Sequence, residues 1–516
     1  MVNLSIKYPF YSLSCICLLF FLTAGIFFNN AYINISEVSY IFLTLFFTIS
    51  MNAFTKRIAF LLGNLLFLIS FILFNLNNQF LLIAELIQVL VFFYSKEKSS
   101  NKDIIFSIIL SSFLLHLFYI QQTEIDFRQH DLSGIITYMS QIINNGINWR
   151  DFNPWNMYYT FHQPLNFIIL QYLYLFNTHI YQSSTLAYES LQYLSLFYVT
   201  SISILSVKIF RLLNIKKNNL YALSLLVSFN PTLTLFSGYI SNDVATLFWS
   251  ISSIYFLLCW YKNNTLNDII FSAICFGLGT LSKLSILLYV PAFSILLLCK
   301  ILTSKSKAIS IQHICTFLII TIPLSLIWII RNHILFDMQF YNIPDTSPMG
   351  QNFNFLTVYD RILDTSMIFK PFINAPFTAD ANIFLAIIKT ELFGEWNFSK
   401  TNNFVIFPAF LLYFINLFIK VYAIATCFYL LFKRKEITPI SVFFILTYII
   451  TWGYIIKYAL DYPYICSTDY RLFTSLMLAE LFIIAVSIKN KVASNILLTT
   501  SSVYAMLSAL IYAITI

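Results

Sequence analysis

The chain has 516 residues, of which 59% are hydrophobic and only 10% are charged, and its formal net charge is +8. Its mean hydropathy of +0.78 and its recurring runs of about 20 apolar residues are typical of membrane-spanning helices, which excludes a soluble protein. The basic residues form short clusters between apolar runs, so they indicate membrane topology rather than nucleic-acid binding.

Apolar runs long enough to be candidate membrane spans occur from one end of the chain to the other. In chain order they cover about 11–29, 37–54, 58–75, 79–95, 104–120, 190–210, 219–237, 242–261, 268–283, 284–300, 311–330, 404–432, 438–458, 470–488 and 493–514. None shows the period-two alternation of a membrane β-barrel strand. The pattern predicts an all-α polytopic membrane protein with roughly 13–15 transmembrane helices.

The distribution of Lys and Arg predicts how the chain is oriented. Short basic loops alternate with loops that lack Lys and Arg, which predicts a cytoplasmic amino terminus. We expect an integral protein of the bacterial cytoplasmic (inner) membrane, in contact with membrane lipids. The basic residues that predict the inner loops are Lys7, Lys56, Arg57, Lys96, Lys98, Lys208, Arg211, Lys216, Lys217, Lys300, Lys305, Lys307, Lys433, Arg434, Lys435, Lys489 and Lys491.

This orientation leaves two long segments, about 121–189 and about 331–403, on the outer side. Within the first, the apolar run Leu165–Phe176 has about 12 residues, too few to cross a bilayer, so it predicts an interfacial helix. The second segment carries seven acidic residues: Asp337, Asp345, Asp360, Asp364, Asp380, Glu391 and Glu395. Two large loops facing one compartment predict a site at the outer face.

The stretch from Gln121 to Gln163 concentrates charge, imidazole and aromatic side chains directly after an apolar run. Asp126 and Asp131 lie five residues apart there, and a carboxylate at the entrance to a low-dielectric cavity can act as a general base. Asp131 is the stronger candidate; the alternative is that it caps the amphipathic run after it. His130 and His162 bracket the loop and are weak candidates for a divalent metal ion or a phosphate, or simply surface hydrogen-bonding groups.

Further candidates lie at predicted outer helix ends. Asp243 begins one span, where it either complements the helix dipole or serves as a second acid of the same site. Lys283, Arg331 and Arg471 stand at three other ends, either reaching towards the interface or binding an anionic lipid phosphate. Most spans lack charge at their middles, with Glu85 and Glu480 as exceptions.

A series of short motifs follows in order along residues about 121 to 475: Asp131, Tyr138-Met139, Asn145-Gly146, His162-Gln163-Pro164-Leu165, Asn230-Pro231, Ser237-Gly238-Tyr239, Asn242-Asp243, Gly277-Leu278-Gly279-Thr280-Leu281-Ser282-Lys283, Arg331-Asn332, Phe393-Gly394-Glu395 and Asp469-Tyr470-Arg471. In these motifs the chain resembles the GT-C membrane glycosyltransferases, in particular family 39-like enzymes near protein O-mannosyltransferases and lipid A aminoarabinose transferases. Such relatives often have two adjacent acids where this chain has Asp131 between His130 and Leu132, and Asp126 is the candidate for the second acid.

The resemblance implies a GT-C fold and transfer of a hexose or pentose from a polyprenyl-phosphate donor to a lipid, glycan or protein acceptor, with inversion. It implies that Asp131 is the base and Asp243 a supporting carboxylate. It also implies that the donor phosphate contacts His162, Lys283, Arg331 and Arg471. Residues 101–488 would form the catalytic domain, residues 1–100 additional helices, and residues 489–516 a C-terminal helix.

The rival prediction is a transporter or flippase for a lipid-linked saccharide. Transporters place ionisable residues near the middle of the membrane, often at broken helices, whereas the candidates here cluster at one predicted face, which favours an enzyme. A polymerase or ligase of lipid-linked glycans shares the donor chemistry and stays open as a third alternative.

Overall fold

The computed structural model describes residues 101–145, 153–155, 162–181, 183–304, 306–338, 356–373, 380–398, 403–432, 438–463 and 465–515. Within these ranges the regular structure is helical, without β-strands. The predicted class, an all-α polytopic membrane protein, is therefore confirmed, whereas the GT-C type of fold stays a prediction. The first four predicted spans, which include Glu85, belong to the proposed domain 1–100 and lie outside the described residues.

Seventeen α-helices, labelled here in chain order, make up the described part of the chain. They are α1 Asn101–Gln122, α2 Leu132–Asn145, α3 Leu165–Tyr181, α4 Ser184–Glu189, α5 Gln192–Leu212, α6 Lys217–Ser228, α7 Pro231–Gly238, α8 Asn242–Asn263, α9 Leu266–Ser282, α10 Val290–Thr303, α11 Lys307–Phe336, α12 Val358–Ile362, α13 Ile383–Phe393, α14 Ile406–Phe432, α15 Pro439–Asp461, α16 Ser475–Ser487 and α17 Lys491–Ile514. Short 3₁₀ helices include Leu284–Tyr289 and Tyr470–Phe473.

Nine candidate membrane spans occur among the described residues. They are formed by α1, α4 with α5, α6 with α7, α8, the 3₁₀ helix Leu284–Tyr289 with α10, α11, α14, α15 and α17. The shorter apolar helices α9 and α16 correspond to the two remaining predicted spans, with 17 and 13 residues. Each span predicted after residue 100 therefore coincides with an apolar helix, although α9 and α16 are shorter than the roughly 20 residues expected.

The predicted span 219–237 is not one continuous helix. It breaks between α6 and α7 because Pro231 has no backbone N–H to continue the ladder, while its fixed φ suits the first turn of a new helix. The Asn230 side chain caps that turn by accepting a hydrogen bond from the Thr232 N–H at 2.9 Å. The break leaves polar backbone and side-chain groups inside the bundle.

Burial divides the helices into an inner and an outer set. The helices α1, α5, α6, α7 and α8 are mostly enclosed, whereas α10, α11, α14 and α17 leave much of their surface exposed. The exposed side chains are largely apolar; Ile319 and Ile334 on α11 are more than 70% exposed, and so is Phe432 at the end of α14. An apolar exterior of this kind is what a protein surrounded by lipid requires.

Two features of the predicted outer segments need correction. The apolar run expected over Leu165–Phe176 forms α3, which extends to Tyr181 and packs against α2 and α4. The second outer segment was expected to begin at Arg331, but α11 continues to Phe336, so Arg331 lies inside a helix. Later in that segment, α13 packs against α7 and α14 and is buried almost throughout.

Candidate functional site: a polar cluster at one end of the helix bundle

The loop that follows α1 is fixed to the turn between α7 and α8. The Gln129 amide donates a hydrogen bond to the Gly238 carbonyl and accepts one from the Ile240 N–H at 3.1 Å. One position earlier, the buried Arg128 guanidinium donates to the Thr515 carbonyl at 2.8 Å and stacks on Phe398. These contacts hold the loop in place just before Asp131.

Asp131 is the most accessible carboxylate of the group that surrounds it. Its side chain is 45% exposed, and one oxygen accepts a hydrogen bond from Arg471 Nη1 at 3.1 Å. The backbone of Asp131 has a φ of +58°, an unusual conformation that Asp tolerates better than most residues. Its carbonyl also accepts from the Ile135 N–H at 3.0 Å, so Asp131 opens α2 as well as contacting Arg471.

Asp243 and Lys283 form an ion pair between the start of α8 and the end of α9. Ser241 caps α8 by accepting from the Asp243 N–H at 2.9 Å, so the predicted location of this carboxylate at a helix start is confirmed. Its second oxygen lies 3.7 Å from Arg471 Nη1. Arg471 therefore bridges Asp131 and Asp243, as the prediction of a shared site requires.

Two carboxyl groups of this site were not among the predicted site residues. Asp469 accepts a hydrogen bond from Arg471 Nε at 2.9 Å and lies 3.6 Å from His130 Nε2. Glu395 lies on the other side of His130, with an oxygen 3.9 Å from Nδ1. The signal was present, since Asp469 and Glu395 belong to the quoted motifs at Asp469-Tyr470-Arg471 and Phe393-Gly394-Glu395, but neither motif indicated which acid would reach the site.

The environment changes the proton affinity of both of these acids. Burial raises the pKa of Glu395 to about 7, and the neighbouring Asp469 charge adds to the effect. Burial likewise raises the pKa of Asp469, while the Arg471 guanidinium opposes that increase. Glu395 consequently exchanges its proton near neutral pH.

Both histidines of the predicted site stay neutral at pH 7. Burial lowers the pKa of His162 to about 4, with Lys283 adding to the effect, and burial places the pKa of His130 well below its ordinary value. His130 also packs against the rings of Tyr239 and Trp396, with centroid distances of 5.5 and 5.3 Å. A neutral imidazole offers an N–H donor to a phosphate but no positive charge.

We refer to Asp131, Asp243, Lys283, Glu395, Asp469 and Arg471, together with His130 and His162, as the polar cluster. It contains four carboxyl groups and two permanent cations, an excess of two negative charges when every acid is ionised. In the described part of the chain, no three His, Cys, Asp or Glu side chains form a group suited to a metal ion. The divalent metal therefore stays a prediction, and no step below depends on it.

Two predicted site residues occupy different surroundings. Asp126 is exposed in the same loop as Asp131, but it takes no part in the ion pairs that Arg471 and Lys283 make within the polar cluster. Arg331 is buried in α11, where its guanidinium stacks over Trp328 and Phe336 and donates to the Asn332 side chain at 2.6 Å. Two aromatic rings and an amide therefore contact the Arg331 guanidinium within α11.

A second group of ionisable side chains lies inside the bundle. The Lys420 ammonium is 2.8 Å from a Glu391 oxygen and 2.5 Å from a Glu480 oxygen, and all three residues are at least 97% buried. Of these three residues, only Glu480 was expected to be a charge inside a span. Lys420 lies in the middle of the predicted span 404–432, and Glu391 was expected in an outer loop. The burial of α13 beside α14 corrects that placement.

Comparison with known proteins adds no family assignment. Neither a scan against protein-family models nor a search of curated proteins found a match to this chain. The resemblance to GT-C glycosyltransferases therefore rests on the quoted motifs and remains a prediction.

Proposed function

We propose that this chain is a membrane glycosyltransferase that moves a sugar from a polyprenyl-phosphate donor to an acceptor, with Asp131 as the base. The observation that carries the proposal is the setting of Asp131. Its carboxylate is accessible, yet Arg471 holds it beside the buried pair of Asp243 and Lys283. An exposed base next to two cations suits a reaction in which a hydroxyl attacks and a phosphate leaves.

In the proposed reaction, the acceptor hydroxyl loses its proton to Asp131 as its oxygen bonds to the anomeric carbon. The bond between that carbon and the phosphate oxygen breaks, and its electron pair leaves with the lipid phosphate. Attack opposite the leaving group inverts the configuration. Lys283 and Arg471 supply positive charge where negative charge develops, while His162 offers a neutral donor.

The charge balance of the polar cluster adds a condition to this mechanism. A phosphate that approaches Lys283 and Arg471 also approaches four carboxyl groups, and ionised acids repel it. The raised pKa of Glu395, about 7, favours a proton on this acid below neutral pH and so reduces the repulsion. We therefore expect donor binding to weaken as the pH rises through about 7.

The experiment compares two aspartates of the same loop in purified full-length protein. Asp131→Asn should lower sugar transfer from a labelled polyprenyl-phosphate donor by roughly 10²–10⁴-fold, the usual contribution of a general base. Asp126→Asn is the matched control, because Asp126 is exposed and takes no part in the Arg471 and Lys283 ion pairs. Its turnover should stay within about two-fold of wild type.

Near-normal turnover in Asp131→Asn, from a variant whose thermal unfolding matches wild type, would overturn the assignment of the base. Equal loss in both variants would show that the loop, rather than one carboxylate, matters. The sugar and the acceptor leave no readable motif. Mass spectrometry of glycans, lipids and glycoproteins from cells with and without the gene identifies both.

A transporter or flippase of lipid-linked saccharides is the second candidate function. The buried group of Lys420, Glu391 and Glu480 favours it, since ionisable residues inside a membrane bundle mark many transport pathways. The break at Asn230 adjoins this group, because the Asn230 amide donates to Glu391 at 3.3 Å. Donor consumption in detergent, without a sealed membrane, distinguishes the enzyme from the transporter. A polymerase or ligase would instead show a glycan-bearing product.

A further inference from the structure

The buried triad of Lys420, Glu391 and Glu480 has an unequal number of charges. Two carboxylates and one ammonium would carry a net charge of −1 in a region that is almost entirely removed from solvent. An uncompensated charge is strongly unfavourable in such surroundings, and two neighbouring carboxyl groups relieve it by retaining one proton. Neutrality of the triad therefore requires one proton on a carboxyl group in addition to the Lys420 ammonium.

The hydrogen-bond donors around the two acids differ in number. Glu391 receives three donors: Lys420 at 2.8 Å, the Asn416 amide at 2.9 Å and the Asn230 amide at 3.3 Å. Among the described residues, Glu480 accepts a hydrogen bond from one donor, Lys420, at 2.5 Å. Donors stabilise an ionised carboxylate, so the negative charge belongs on Glu391 and the proton on Glu480.

A small cavity lies beside the triad and can hold a water molecule next to the protonated acid. Its volume of about 20 Å³ is sufficient for one water molecule, and the polar side chains that line it are those of Glu391, Glu480, Asn230, Asn416 and Tyr504. The Tyr470 hydroxyl is also buried near both acids. This hydroxyl faces Glu391, although among the described residues it makes no hydrogen bond of ordinary geometry, and the Lys420 ammonium lies 5.1 Å from the Tyr470 ring.

Among the described residues, the other titratable side chains that interact with the two acids are tyrosines. Tyr448 on α15, Tyr470 in its 3₁₀ helix and Tyr504 on α17 interact electrostatically with the two acids. A tyrosine side chain is either neutral or negatively charged, so none of them supplies the missing positive charge. Within the part of the chain that the structure describes, the charge balance of the site therefore depends on Glu391, Glu480 and Lys420.

We propose that the triad is an intramembrane proton-binding site, in which Glu480 carries the proton, Glu391 is the counter-ion of Lys420, and one water molecule occupies the adjoining cavity. The site lies next to the polar cluster. Thr390, adjacent to Glu391, accepts a hydrogen bond from the Tyr470 N–H at 3.0 Å and donates to the Thr468 carbonyl at 3.1 Å. The proposal does not depend on the glycosyltransferase function.

Infrared spectroscopy of the full-length protein in nanodiscs tests whether the proton is present. The wild-type protein near neutral pH should show the C=O stretch of a buried protonated carboxyl group that is lost in Glu480→Gln. Lys420→Met removes the cation, so the two acids should then hold two protons and the band should increase. Identical spectra for wild type and Glu480→Gln would overturn the proposal.

Thermal unfolding tests which acid carries the proton. Gln has the shape of a protonated Glu, so Glu480→Gln should unfold within a degree or two of wild type. Glu391→Gln should unfold several degrees lower, because it replaces the acceptor of three donors by a group that itself donates. The reverse order of the two variants would overturn the assignment to Glu480, and equal losses would indicate that both acids are ionised.

Discussion

Arg471 joins three acids of the polar cluster, and its replacement by Gln should destabilise the protein in a pH-dependent manner. The guanidinium contacts Asp469 at 2.9 Å, Asp131 at 3.1 Å and Asp243 at 3.7 Å. Arg471→Gln removes the positive charge while keeping a polar side chain of moderate length. The three carboxylates then repel one another at short range.

The cost comes mainly from one of the three partners. Asp131 is 45% exposed, so water replaces much of what it loses and its share is about 0–1 kcal/mol. Asp243 keeps Lys283 as a partner. Asp469, only 3% exposed, loses its charged donor, and breaking a buried pair in this way costs about 3–5 kcal/mol. We expect a total loss of about 3–5 kcal/mol at alkaline pH.

The sign of the pH dependence follows from proton binding. Without Arg471 the pKa of Asp469 rises further above its unfolded value, so the folded variant binds protons that the unfolded chain does not. Its stability therefore falls as the pH rises, and its deficit relative to wild type is larger at about pH 8 than at about pH 5. Each additional unit of pKa shift changes the deficit by about 1.4 kcal/mol.

The assay is thermal unfolding of purified protein in detergent across this pH range. Arg128→Gln is the matched control, because Arg128 is also buried but binds the Thr515 carbonyl and the Phe398 ring instead of carboxylates. Its loss of stability should not change with pH. A pH-independent deficit in Arg471→Gln, or the same pH slope in both variants, would refute the charge-based argument.

Three further predictions concern single groups around the polar cluster. Burial raises the pKa of Glu395 to about 7, so the free energy of unfolding of wild type should fall as the pH rises from about 4.5 to 7. Glu395→Gln should lack this fall, and a variant with the same pH dependence as wild type would contradict the prediction. The lowered pKa of His162, about 4, has the opposite effect on stability, which should fall as the pH drops from 6.5 towards 4. His162→Gln should flatten that decline in the same unfolding scans. Gly238→Ala should cost about 1–3 kcal/mol, because its β-carbon would lie 2.8 Å from the Tyr119 ring; wild-type stability would show that Tyr119 moves aside freely.

The positions of the spans followed from the sequence because they depend on local properties. A run of apolar residues long enough to cross a bilayer forms a helix wherever it occurs, since its backbone groups must be satisfied internally. The predicted span at 104–120, for example, appears as α1. The interruption at Asn230 is also written locally, in a capping residue followed by Pro231, although both residues lie inside the predicted span 219–237.

The polar cluster was predictable in part. Asp131, Asp243, Lys283 and Arg471 were each located at helix ends, and a common face for those ends follows from topology. Which atoms meet is a different matter, because Asp131 and Arg471 are 340 residues apart in the chain. Sequence spacing carries no information about such a pair when no periodic pattern connects the two.

Buried charge was the hardest feature to predict. Lys420 was overlooked inside an apolar run, and Glu391 was assigned to an outer loop because a polar segment surrounds it. Their pairing depends on how α13, α14 and α16 pack, which no single segment encodes.

The sequence by itself determined that this protein spans a membrane and that Asp131, Asp243, Lys283 and Arg471 stand at helix ends, because solvation of each segment depends on its own composition. Tertiary structure alone decided that Arg471 bridges three acids, that burial raises the pKa of Glu395 to about 7, and that Lys420 lies between two glutamates. These properties arise from distances between remote residues and from the burial that packing imposes on them.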